Sequence, residues 1–131
     1  MLYYSLNHQS PKVNFEEAAV RGQAPDKGLY FPESIPPFPQ DFIKNIRQFS
    51  REEIGFIVMK PYVGNTLPDE VLEKIVNETV SFSFPLEKIT DNIFSFELFH
   101  GPTLAFKDVG ARFMSRCLSY FNRNKNRHTT V

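Results

Sequence analysis

The sequence predicts an α/β protein, α+β-like over these 131 residues: a mostly helical part with short strands (1–84) leading into a strand–loop–helix unit (85–131). Three observations carry that prediction. Three successive stretches between residues 40 and 82 space their apolar residues three and four apart, the period of a helix packed on one face. "LEKIT" and "IFSFELF" flank "DN", the signature of two strands around a tight turn. Beyond Asp108 the helical period returns, with Val109, Phe113, Cys117 and Phe121 four apart.

The elements follow in order. "LYYSL", residues 2–6, reads as a short strand. "NFEEAAVRG" reads as a helix that Asn14 caps, with Glu17 three positions on and Gly22 ending it. "APDKGLYFPESIPPFP" supplies a turn, a short strand at Leu29–Phe31 and a proline-rich connection. "QDFIKNIRQF" reads as one helix with Phe42, Ile43, Ile46 and Phe49 on a single face. "SREEIGFIVMKPYV" opens on a capping box, Ser50 with Glu53, and Pro61 is expected to limit it. "PDEVLEKIVNETVSF" places Val71, Leu72, Ile75, Val76 and Val80 on one face, with Pro68 near the first turn. The chain closes on "HTTV", which reads as the start of a strand with nothing to pair with, as expected of a piece of a longer protein; a short independent domain with a frayed tail is the alternative.

Composition excludes several function classes. Hydrophobic residues make up 41% and charged residues 23%, the balance of a folded globular chain. Fifteen basic residues offset fifteen acidic ones, which leaves no electrostatic footprint for nucleic acid or an anionic membrane. Arg123, Lys125 and Arg127 form a local basic cluster, read as solvated helix-end charge. Cys117 is the only cysteine, so neither an intrachain disulfide nor a thiolate metal cluster is expected. The three histidines are too scattered for a zinc site. Neither a signal peptide nor a membrane span is apparent, and a cytoplasmic protein is expected. Fourteen phenylalanines without a tryptophan predict an aromatic-rich core.

Chemistry concentrates in "ELFHGPTLAFKDVGARF", residues 97–113. Lys107 follows Leu104, Ala105 and Phe106 at the start of the last helix. A lysine so placed most often snorkels, its methylenes on apolar surface and its ammonium in water. The sharper reading is an amine held in a partly apolar cleft, where desolvation favours the neutral form that forms Schiff bases. The preceding Gly101-Pro102 turn and the adjacent helix N-terminus favour that reading modestly. Asp108 reads as a helix cap or, less commonly, as an electrostatic partner of the lysine. Thr103 reads as bonding its own backbone or contacting a cofactor, and His100 as a structural residue or an acid–base group. Cys117, at a core position of its helix, reads as inert packing.

Two segments carry a family resemblance over essentially the whole chain. "ELFHGPTLAFKDVGARFM" resembles the lysine segment of the threonine synthase family, fold-type-II pyridoxal-phosphate (PLP) enzymes. "GQAPDKGLYFPESIP", residues 22–36, is similar to that family's N-terminal signature, with Gln23 and Lys27 as small departures. The resemblance implies that residues 1–84 are the family's N-terminal domain and 85–131 the truncated beginning of its PLP-dependent catalytic domain. It implies that Lys107, both catalytic and cofactor-binding, forms the Schiff base with PLP, and it implies no metal. The reaction implied is O-phospho-L-homoserine plus water to L-threonine and phosphate, with that phosphate ester as the small-molecule partner.

The family continues into a glycine-rich loop that holds the cofactor phosphate. The six glycines here are dispersed, so the isolated chain is expected to be inactive. Two other readings stay open: a non-catalytic threonine-synthase-like interaction or regulatory protein, and another fold-type-II PLP lyase such as an amino-acid dehydratase or cysteate synthase. The oligomeric state is not legible.

Overall fold

A computed structural model describes residues 1–123. The "HTTV" segment, His128, Lys125 and Arg127 lie outside the described residues. Strand β1 (Tyr3–Ser5) pairs antiparallel with β2 (Tyr30–Pro32), in register Tyr3 to Pro32 and Ser5 to Tyr30. Helix α1 (Phe15–Arg21) lies between them in sequence. The Asn14 side chain accepts from the Glu17 amide, and Gly22 closes the helix at φ 71°, a backbone state that glycine adopts without cost.

A hydrogen-bonded knot centred on Asp26 sets the "APDKG" turn. Its carboxylate accepts from the Ser5 hydroxyl at 2.6 Å, the Gln9 amide at 2.9 Å and the Gly28 amide at 3.0 Å. Gly28 is required by close approach, because a Cβ there would sit 2.0 Å from Ser5 Oγ. The two departures from the signature bond to each other: Gln23 Nε2 donates to the carbonyl of Lys27 at 2.8 Å.

The expected single helix over 40–49 divides. Helix α2 (Gln40–Lys44) stops at Asn45, whose side-chain amide donates to the Asp41 carbonyl, and a 3₁₀ turn (Ile46–Gln48) follows. Asparagine competes in this way for backbone groups that a continuing helix needs. The expected apolar face divides with it. Phe42 is buried against Phe38 and Phe49, whereas Ile43 is 51% exposed.

Helix α3 (Arg51–Val63) carries the complete capping box, Ser50 with Glu53. Pro61 does not end it. The helix runs through to Val63, and Gly64 closes the last turn by donating to the Lys60 carbonyl. A proline removes one donor and crowds the preceding turn, and here the two residues after it keep helical geometry. Pro68 caps helix α4 (Asp69–Thr79), which buries Leu72, Ile75, Val76 and Thr79. Gly55 of α3 lets the two helices meet, because a Cβ there would stand 2.6 Å from Val76 Cγ1.

The hairpin forms as expected, β3 (Leu86–Thr90) against β4 (Ile93–Phe96), with a register shift between Lys88 and Thr90. Helix α5 (Asp108–Asn122) then returns across α4 and α1. Its Cys117 and Phe121 complete a core with Val63, Leu67, Leu72, Ile75 and Val76. Phe15 joins that core to a smaller cluster of Tyr3, Val13 and Ala18.

The expected aromatic-rich core is instead largely aliphatic at its centre. Phe31, Phe94, Phe96, Phe99 and Phe106 are exposed, and only Phe42 and Phe121 are buried among the described phenylalanines. Among the described residues no helix is long and apolar enough to cross a membrane.

Two outcomes test this packing in urea unfolding. Leu72→Ala should cost about 2–5 kcal/mol, through lost burial and a cavity, while Ile43→Ala should stay within about 0.5 kcal/mol. The second concerns Asp26, whose carboxyl is held below its ordinary value of 3.8 by the Ser5 hydroxyl first, with the Gly28 and Gln9 amides adding and burial opposing. A carboxyl lowered on folding contributes stability that is complete above its unfolded value and is lost as pH falls through the folded one. Asp26→Asn should therefore be less stable than wild type at neutral pH, with the gap closing in acid.

The candidate active-site loop at the start of α5

The Lys107 segment leaves β4, passes the turn at 101–107 and enters α5. Two local turns shape it: the Leu104 amide donates to Gly101 O at 3.1 Å, and the Asp108 amide to Ala105 O at 3.0 Å. Leu104 is left-handed at φ 56°, a conformation unfavourable for a residue with a Cβ.

Lys107 is the residue that precedes α5, and its carbonyl accepts from the Ala111 amide at 2.9 Å. Its side chain is exposed, and its amine lies 5.9 Å from the centroid of the Phe106 ring. Among the described residues no carboxylate pairs with it. The partly apolar cleft of the sharper reading is therefore not formed among the described residues. Leu104 is 76% exposed and Phe106 64%, so the apolar neighbours stand beside the amine without enclosing it.

Asp108 is not the cap of α5. It occupies the first turn, is 5% exposed, and reaches back into the loop. Oδ2 accepts from the Thr103 amide at 2.9 Å, and Oδ1 accepts from the Thr103 hydroxyl. Those bonds, the hydroxyl's first, hold the Asp108 carboxyl below its usual range against the opposing effect of burial. Thr103 thus bonds a side chain five residues on, where a bond to its own backbone was expected. Gly101 must lack a Cβ, since one would meet Asp108 Oδ2 at 2.3 Å.

His100 pairs with Glu97 at 2.6 Å and stacks on the Phe99 ring. Cys117 is fully buried, and burial pushes its thiol up to about 12, as expected of inert packing.

Sequence reasoning missed two anchors. The Asp108–Thr103 bonds have a local signature in hindsight, Gly-Pro-Thr followed by an acid at the helix start. Arg112 has none. It donates through Nε at 3.1 Å and Nη2 at 2.7 Å to the Glu78 carbonyl at the end of α4, a partner 34 residues away.

Beside the loop, α3, α4, β4 and α5 enclose an open groove of about 690 Å³ with an almost wholly apolar lining that includes Ile54, Val58, Val80, Phe84, Phe96 and Phe113. As to a cofactor, the unpaired amine of Lys107 fits an aldehyde. Among the described residues no glycine-rich turn offers a phosphate cradle, so this chain holds one end of such a site.

A family model described as the threonine synthase N terminus matches residues 2–80. The threonine synthase of Haemophilus influenzae is 38% identical over 119 residues, covering 91% of this chain and 28% of that protein. The threonine synthase of Escherichia coli is 32% identical over 125 residues, covering 95% of this chain and 29% of that protein. The fold matches a crystal structure of PLP-bound threonine synthase from Brucella melitensis, with a TM-score of 0.91 at 34% identity, over 98% of this chain and 29% of that one. The chain thus spans under a third of the length of these relatives.

The state of Cys117 gives a direct check on the core beneath the loop. Native protein at pH 8 should resist alkylation by iodoacetamide, and the thiol should react at the rate of a free cysteine once unfolded in urea. Rapid native labelling would contradict the packing.

Proposed function

Because the chain belongs to the threonine synthase family, we propose that the full-length protein converts O-phospho-L-homoserine and water into L-threonine and phosphate, with PLP attached through Lys107. The observation that carries this reading is the match, over nearly the whole chain, to a PLP-bound threonine synthase at 34% identity. In the same reading residues 1–84 form the N-terminal domain, and 85–131 begin a fold-type-II catalytic domain that α5 ties to the first. The family-model match ending at residue 80 supports that division. The 131-residue chain alone is inactive, and the enzyme is cytoplasmic and serves threonine biosynthesis.

Lys107 Nζ would hold the cofactor. When bound, PLP supplies an electron-accepting ring that stabilises negative charge on the substrate carbons next to the amine. The protein's part at this end of the site is to deliver and remove protons. Lys107 Nζ, when free, takes a proton from a substrate carbon and returns one, which requires it to be neutral for part of the cycle. In water an ammonium resists that loss, and removal from water favours it.

Leu104, Phe106 and the exposed apolar residues of the hairpin, Ile93 and Phe96, are the surface available for that enclosure. The groove beside them is where the remainder of the polypeptide packs. An exposed apolar surface of this kind marks an interface.

The test uses full-length protein with PLP. Borohydride should fix the cofactor on Lys107, and label on another residue would reject the assignment. Lys107→Ala should still fold, since truncating a long polar side chain leaves the buried core of α4 and α5 intact, while turnover falls by about 10²–10⁴-fold. Phosphate release from O-phosphohomoserine, without deamination of threonine or serine, should separate this activity from that of a dehydratase.

A further inference from the structure

The turn that carries Lys107 is held by a side chain for which neither the resemblance nor the relatives provide a role. Leu104 sits in a left-handed conformation, and the loop leaves a strand whose residues are mostly exposed, so packing alone does not hold it. Asp108 supplies the restraint. Its buried carboxylate takes both donors of Thr103, amide and hydroxyl, and Gly101 lies close against it.

These bonds close a ring of main chain from Thr103 to Asp108, and Lys107 lies inside that ring. The Lys107 carbonyl is fixed separately by the first turn of α5. The backbone of Lys107 is therefore clamped on both sides while its amine has no ion-pair partner among the described residues. A reacting group needs this combination of a fixed base and a free tip, because misplacement by about 1 Å costs on the order of 10² in rate.

We infer that Asp108, acting through Thr103, is a positioning residue for Lys107. It works by geometry rather than by pairing with the lysine, since its carboxylate is directed at Thr103. The inference rests on the reading that Lys107 carries the cofactor.

The experiment uses the full-length protein and three variants. Asp108→Ala should lower borohydride fixation of PLP on Lys107 at sub-saturating cofactor, and kcat, by about 10²-fold, with the KM for O-phosphohomoserine within about threefold. Thr103→Val removes one hydroxyl from an exposed residue and does not threaten folding. It should lower the same readouts about tenfold, and Thr103→Ser should restore them. In the cofactor-free protein, hydrogen exchange at the Thr103 amide should quicken in Asp108→Ala and stay slow in Thr103→Ser. The double variant Asp108→Ala/Thr103→Val should be no worse than Asp108→Ala, because both act through one set of bonds.

Undiminished fixation in Thr103→Val, or additive losses in the double variant, would overturn the inference alone. Absence of fixation on Lys107 in the wild type would overturn the parent reading and this inference with it.

Discussion

Cys117 and Phe121 lie four residues apart on α5 and are buried against Leu72, Ile75 and Val76 of α4 and the Val63–Leu67 turn. That contact sets where α5 lies, and hence where its first residues stand. Removing this apolar surface from water is worth about 25 cal/mol per Å², a drive without direction that brings the helices together. Direction comes from polar anchors. Arg112 reaches the carbonyl of Glu78 and the hydroxyl of Ser81, fixing the beginning of α5 against the end of α4. The loop before α5 inherits its location from both.

The two ends of the chain use the same device. At the N-terminal turn, Asp26 collects the Ser5 hydroxyl and two amides; at the lysine loop, Asp108 collects both donors of Thr103. In each case a glycine without room for a Cβ lies against the acid or its partner, Gly28 against Ser5 and Gly101 against Asp108. A carboxylate that accepts several donors is stabilised in its charged form, and it holds irregular backbone in one conformation without a ladder of strand bonds. This accounts in physical terms for why both segments carry recognisable sequence signatures: they are turns held by particular side chains.

Helix α3 shows the opposite condition. "IGFIVM" is apolar around most of its circumference, and its residues between Ile54 and Met59 are only partly buried. One side meets α4 through Gly55, and another faces the groove beside the lysine loop. A helix apolar on all sides belongs inside a larger core. The exposed hairpin, with Leu86, Ile89, Ile93 and Phe96 each about 60% exposed, has the same character. Surface of this kind accords with relatives more than three times as long as the chain's share of them.

The sequence by itself determined the elements whose causes are local. Asn14 and Gly22 bounded α1, the Ser50–Glu53 box opened α3, the "DN" turn made the hairpin, and the four-residue spacing placed Cys117 inside. Each of those depends on residues within a turn or two of one another. The family was legible too, through two segments whose residue choices are too specific for periodicity to explain.

Only the tertiary structure decided which of several possible partners a side chain takes and what packs over it. Phe42 is buried against the Phe38 and Phe49 rings, while Ile43 beside it on the same expected face is left exposed. Asp108 turns back to the loop rather than capping its helix, and Arg112 finds a carbonyl 34 residues away. Lys107 stands exposed in spite of its apolar neighbours, because burial is a property of what packs over a residue, and sequence adjacency places Leu104 and Phe106 beside the amine without covering it.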